Sequence, residues 1–407
     1  MKNLFLFLMF FTPCFFYASA MEGMKSIRDF GVSSKNSPQE NSKRLQSAID
    51  EMSGKGGAIF VEPDADGYPM SGGILLRKNV SLIGVNGPVG RGTNGGRGNP
   101  VGSVFKIYDM EKPFISVQSA TQIRGIQFFY PNQDIKNPKN IIEYPPTIVR
   151  DKSESVMGVT LSCLTFFGEF CAMDFTSGNS KTICEQILFE HCYGYPLGGE
   201  FIKIDKCYDI PRILHCHVNP ANQRLFKGGT SRDVIDSVVR RKTFSYSIES
   251  TDNAQLIDIF TFGVFGGIKL GANTYGQLTN FNLDCVSIGI LKEGAQNFNR
   301  NWQIAQGSII ANTGGSLEDV HPIKISGFGH TSIANVEAFS GNNGALTNFA
   351  ASYDFLYVDS EGAPSISLSA CRMRGYKSKN PITNKNPKAK IRAWACINKN
   401  LDFFEIK

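Results

Sequence analysis

Apolar positions along this chain keep two different periods. Between residues 37 and 53 they fall three and four apart, so that Leu45, Ala48, Ile49 and Met52 share one face of a helix. Ser37-Pro38-Gln39-Glu40 marks its start. Ser37 is the N-cap, Pro38 takes the first helical position and Glu40 completes a capping box. Gly54 to Gly57 ends it. Around this helix the pattern shortens to strands. Ile27 to Val32, Ala58 to Val61, Ile74 to Leu76 and Asn79 to Val85 each carry a brief apolar run bounded by turn residues.

From about residue 120 one six-residue pattern recurs: apolar, variable, small or polar, apolar, variable, apolar, then a turn. It stands as Ile123 to Phe128, Leu161 to Phe166, Phe189 to Gly194, Ile213 to Val218, Leu256 to Thr261, Leu278 to Leu283 and Ile333 to Ala338. A second strand often follows, as at Cys171 to Phe175, Glu200 to Ile204 and Gly267 to Leu270. The steps are irregular because loops of different length interrupt them. Short strands joined by tight corners predict coils that stack about 4.8 Å apart. The third motif position then forms a column of Gly125, Cys163, His191, His215, Asp258, Asn280 and Asn335, expected as a hydrogen-bonded ladder inside the stack. A β-sandwich is the rival arrangement.

Composition agrees with many turns and strands. Of 407 residues, 41 are Gly and 31 Phe, and only 19% are charged, so wholesale disorder is excluded. Residues 1–20 stand apart. Lys2, an apolar run from Leu4 to Tyr17 and Ala18-Ser19-Ala20 make a cleaved signal peptide, too short to span a bilayer. Cys14 lacks the small residues of a lipidation site before it. The expectation is a secreted or periplasmic protein with no membrane span. The formal charge of +6 falls to +5 once Lys2 is removed. This mild excess suits an acidic polysaccharide or an anionic envelope surface, or implies no partner at all, and nothing resembles a nucleic-acid module. Nine Cys remain after residue 20, none at C-x-x-C spacing, and most sit in apolar strand patterns as buried structural thiols. Gly90-x-Gly92-x-x-Gly95 has no helix start after it and reads as a surface loop.

The opening resembles the N-terminal cap of the pectate-lyase-superfamily (pectin-lyase-like) proteins. Asp29-Phe30-Gly31-Val32, Gln46 to Asp50, Gly56 to Val61, Gly67-Tyr68 and Val80 to Gly84 carry the likeness. It covers about sixty residues closely and the repeats loosely to near residue 375. The resemblance implies an all-β fold, a right-handed parallel β-helix with a short N-terminal capping helix, over 21–375, with 376–407 as a basic C-terminal cap or tail. It also implies a polysaccharide partner bound along the strand face. Lyases, hydrolases, epimerases and tailspikes share that fold, so activity does not follow from it.

The chemistry is less legible. Hydrolases of this family need clustered Asp residues. This chain has Ser250-Thr251-Asp252, Gly329-His330-Thr331 and no Asp-Asp pair. A Ca²⁺-dependent lyase would draw on Asp174, Glu190, Asp205, Asp209 and Asp258, which no motif fixes together. No cofactor is otherwise implied. The densest constellation runs from Asp205 to Pro220. In the repeat register His215 points inward and His217 outward, beside Tyr193 and Phe260 on neighbouring coils. Tyr193, Asp209, Arg212 and His217 are therefore the candidate catalytic residues, with Phe260 and Glu190 as substrate-binding ones. A common groove for the four would favour an enzyme. Burial of Arg212 against Asp209 would favour a non-catalytic binding or surface protein.

Overall fold

The computed structural model describes residues 23–86, 100–226, 228–294, 300–312, 320–339 and 352–407. Residues 1–20, expected as a signal peptide, and the Gly90 to Gly95 segment lie outside them. Strands stack in parallel through the chain, coil upon coil. One face of the stack is built from Gly57–Phe60, Val80–Ile83, Gln122–Arg124, Val156–Ser162, Cys184–Glu190 and Arg212–Leu214. A second holds Tyr68–Met70, Val104–Ile107, Gln127–Phe129, Thr165–Phe167, Tyr193–Gly194 and His217–Val218. A third holds Ile74–Leu76, Ile115–Val117, Ile148–Arg150, Cys171–Phe175, Glu200–Ile204 and Phe244–Ile248. Longer strands, such as Phe260–Leu270 and Thr274–Lys292, run from one face into the next. This in-register parallel pairing excludes a sandwich. Among the described strands the one antiparallel pairing is Lys390–Ile397 with Phe403–Ile406.

Helix α1 (Pro38–Ser53) starts as expected, with the Ser37 side chain accepting from the Glu40 N–H. Glu40 itself turns to Arg44, so the capping box is half formed. Leu45, Ala48, Ile49 and Met52 are buried over the first coils. The first strand is Met24–Ser26 rather than Ile27 to Val32, because Ile27–Phe30 closes into a 3₁₀ turn capped by Ser26. Parallel pairing also runs past residue 375, where Ile382–Asn384 and Lys390–Ile397 add further rungs.

The interior is filled in columns. Ile213, Cys216 and Val218 point in from one coil, and equivalent residues stack above and below them. Phe128 lies flat on Phe166 at 5.1 Å within such a column. The nine cysteines among the described residues are free thiols, and all but half-exposed Cys163 are buried.

The third motif position behaves differently from expectation. Cys163, His191, His215, Asp258, Asn280 and Asn335 all have φ between 51° and 55°. Each turns the chain from the first face to the second in the left-handed region, which directs its own side chain outward and the next one inward. His215 is thus 40% exposed, and Cys216 is the buried neighbour. The polar ladder lies outside the stack, not within it. Left-handed backbone costs an ordinary residue roughly 1–2 kcal/mol, and Asn or Asp less. Ala370 holds such a corner at φ 51°. Ala370→Gly should raise the denaturation midpoint, and Asn280→Val should lower stability by about 1–2 kcal/mol. Urea titration of the two variants checks both signs.

Candidate functional site

Register builds the site on the outer side of the second face. Tyr193, His217 and Phe260 occupy equivalent positions on three successive coils. Their rings stack: Tyr193 to His217 at 5.2 Å, and His217 to Phe260 at 4.3 Å and 13°. A second row runs beside it at the corner. His191 stacks on His215 at 4.7 Å, and His215 Nδ1 meets Asp258 Oδ2 at 2.8 Å. His217 is enclosed between two rings. Desolvation lowers its pKa to about 4, with the Asp258 charge pulling weakly the other way. It is therefore neutral near pH 7. Burial also raises the Tyr193 pKa. The faces of these rings are largely spent on one another, which leaves mainly edges for a ligand.

Three of the six expected residues thus come together. The other three do not join them. Glu190 lies on the first face, across the corner from Tyr193. Arg212 is also on the first face, where it donates to Gln255 Oε1 at 3.3 Å and the Ile210 carbonyl at 3.5 Å. Asp209 sits exposed at an earlier corner with φ 46° and accepts from Gln186 Nε2 at 2.6 Å. Arg212 is not buried against Asp209, and the four candidate catalytic side chains do not form one groove. Among the described residues no group of three or more His, Cys, Asp or Glu is placed to hold a metal ion.

The cavity on this face comes from an excursion between the strands His217–Val218 and Phe244–Ile248. Asn219 caps a 3₁₀ turn over Pro220–Leu225, and Ser231 caps helix α2 (Arg232–Arg240). The excursion stands as a wall beside Phe260. Between wall and sheet is a groove of about 480 Å³ whose sheet side carries Phe260, Phe262 and Asp284, with Arg224 and Gly229 opposite. Phe262 and Asp284 are register partners on adjacent coils. Asp284 is half-buried, and desolvation raises its carboxyl pKa although Cys285 hydrogen-bonds it. Sequence reasoning passed over this groove. Asn219-Pro220 and Ser231 were legible as helix starts, but nothing in the repeat pattern said that the excursion folds back onto Asp284.

The wall is anchored through polar side chains. Asn222 Nδ2 donates to the His217 and Gly194 carbonyls at 3.1 and 3.3 Å. Gln223 Oε1 accepts from the Gly168 N–H, and its Nε2 donates to Glu169 Oε2 at 3.3 Å. Phe226 packs edge-on against Phe129 at 4.9 Å. Glu169 is fully buried and also accepts from the Tyr195 N–H at 2.6 Å. Burial nevertheless pushes its pKa up to about 8.

No protein-family model matches the chain, and no curated protein matches it in sequence. Solved structures do match. The DFA-IIIase of Arthrobacter chlorophenolicus A6, solved without its lid and with GF2, aligns with a TM-score of 0.56 at 9% identity, over 92% of this chain and 94% of that one. The Agl-KA catalytic domain aligns at 0.53 and 9% identity, over 90% and 68%. The gp42 tailspike of Acinetobacter phage vb_AbaP_AS12 aligns at 0.52 and 8% identity, over 94% and 64%. At such identities the likeness defines the fold: the chain is a right-handed parallel β-helix of the pectin-lyase-like kind.

Two opposed pH slopes follow from the buried groups. Unfolded His217 binds a proton near pH 6.5, whereas the folded ring does so only near 4. Stability should therefore fall as pH drops from about 6.5 towards 4, by up to roughly 3 kcal/mol, and His217→Phe should remove that loss. Glu169 acts in the other direction. Its proton is held up to about 8 in the folded state against 4.5 when unfolded. Stability should fall as pH rises through that window, and Glu169→Gln should flatten the decline while keeping an acceptor for Tyr195. Thermal melting of the three proteins between pH 4 and 9, about the range set by these pKa values, resolves the slopes.

Proposed function

We propose that the chain is an exported protein that binds a polysaccharide along the outer side of its second face, with the groove at Phe260, Phe262 and Asp284 as its seat. The observation that carries this reading is the groove itself. It is an open channel with an aromatic floor, a guanidinium on one side and a carboxylate on the other. Apolar ring surface with a few convergent polar groups suits a sugar ring, whose faces are apolar and whose edges carry hydroxyls. Arg224 would favour an acidic sugar. The structural neighbours, two named as DFA-IIIase and the Agl-KA catalytic domain and one as a tailspike, lend the reading support from the fold side.

Binding is favoured over hydrolysis by the carboxylate count. Paired-carboxylate hydrolysis needs two acids flanking one bond. Among the described residues the groove lining supplies Asp284 alone. Elsewhere on or beside this face, Asp258 is engaged by His215 and Glu337 by Arg374 at 2.5 Å. One observation supports a catalytic reading: the carboxyl of Asp284 is held protonated to higher pH than usual, as a general acid requires.

The test uses the protein without residues 1–20 and a panel of acidic and neutral polysaccharides, with and without Ca²⁺. Co-sedimentation, absorbance at the unsaturated-uronate band and reducing ends are followed together. Retention by one glycan without product is the expected result, with Phe262→Ala and Arg224→Ala each weakening it about tenfold. Retention that both variants leave unchanged would move the site off this groove. Product formation lost in Asp284→Asn would establish the catalytic reading instead.

A further inference from the structure

The far end of the solenoid carries a feature that the groove does not use. Residues 376–407 contain seven Lys and one Arg against Asp402 and Glu405, a net +6 that equals the formal charge of the whole chain. The remainder, residues 1–375, is neutral. The net basic excess therefore falls in residues 376–407. Lys377, Lys379, Lys385, Lys388 and Lys390 are all exposed there.

Large apolar side chains stand among these cations. Phe403 is 74% exposed, Leu401 64% and Trp394 54%, and Ile406 is also exposed. Leu401 lies at the tip of the turn between the last two strands, and Phe403 opens the antiparallel strand that follows. The same end holds a cavity of about 550 Å³ whose lining includes Ile382, Ile391, Phe404, Ile406 and Lys379. Lone exposed apolar residues need no explanation, but here Trp394, Leu401, Phe403 and Ile406 fall within one short stretch, and Ile406 lines the cavity together with Lys379.

We propose that this end of the solenoid docks on an anionic phospholipid surface. Charge complementarity selects an anionic partner and disfavours a second copy, whose equivalent end carries the same +6. Among anionic partners the exposed Leu401, Phe403 and Ile406 favour lipid. Such side chains gain by entering the boundary between headgroups and acyl chains, whereas a hydrated glycan chain offers aliphatic side chains little. Trp394 is suited to the same boundary, and the exposed lysines to the phosphates.

The chain supplies its own reporter. It has two Trp, and Trp302 is fully buried, so an emission change on docking reports Trp394. The protein without residues 1–20 is mixed with phosphatidylcholine vesicles, with and without phosphatidylglycerol. A blue shift and co-sedimentation with the anionic vesicles alone, reversed by high salt, are expected. Leu401→Asn with Phe403→Ser should abolish the shift. Lys388→Ala and Lys390→Ala should each weaken partitioning about fivefold. All four positions are exposed, and an unchanged far-ultraviolet spectrum verifies that the variants fold. Absence of any shift or sedimentation overturns the proposal. So does a Trp394 response to polygalacturonate but not to vesicles, which would make the end a glycan site. Concentration-dependent dimerisation that Phe403→Ser breaks would make it a self-contact. Groove variants Phe262→Ala and Arg224→Ala should leave vesicle binding intact, so this result and that of the glycan test are independent.

Discussion

Each coil must pass its backbone hydrogen bonds to the next in register, and the rest of the molecule answers to that requirement. Unpaired peptide groups inside the stack would cost far more than any side-chain contact could return. Register therefore comes first, and equivalent residues stand over one another whatever they are. Inside, this yields columns such as Phe128 on Phe166. Outside, it yields Tyr193 on His217 on Phe260. The left-handed corner between the first and second faces is part of the same constraint. A bend that sharp, repeated coil after coil at one position, keeps every strand of both faces aligned.

That constraint also explains why a row of aromatic rings on a solenoid is not by itself a ligand platform. Rings about one coil spacing apart pack against each other, and His217 loses its proton affinity because its neighbours exclude water. A binding surface needs something that breaks the ladder. Here it is the excursion over residues 219–243, which leaves the stack, turns through Pro220–Leu225 and α2, and returns at Phe244. Its buried anchor is polar, with Gln223 and the Tyr195 amide on Glu169. A carboxyl carrying its proton to about pH 8 lets that anchor sit in the core without an unpaired charge.

Much of the fold was legible because it rests on local patterns. Leu45, Ala48, Ile49 and Met52 declared one helical face, and the recurring motif declared the parallel stack. The pairing of Tyr193, His217 and Phe260 also followed from motif register. What the pattern could not supply was the direction of side chains at the corner. A polar residue between apolar ones looks the same whether it turns in or out, and only the positive φ at His215 decides it. The site was less legible for a different reason. Asp209 and Arg212 are close to His217 in sequence, yet a corner and a strand separate them in space. Asp284 lies 67 positions from His217 in the chain and two coils away in the stack, and became visible only once the wall was placed.

The two ends of the stack answer to the same constraint, because a solenoid exposes its core columns wherever the coils stop. At the start, an amphipathic helix solves the problem. α1 buries its apolar face over the first coils and turns Glu40, Lys43 and Arg44 outward. At the other end a single antiparallel strand, Phe403–Ile406, covers the edge of the last rung. It satisfies backbone groups and blocks further strand addition. One strand is too narrow to roof the columns beneath, however, so Ile391 and Ile382 border an open cavity. Exposed lysines, among them Lys377, Lys379, Lys388 and Lys390, belong to the same segment and give it a net positive charge.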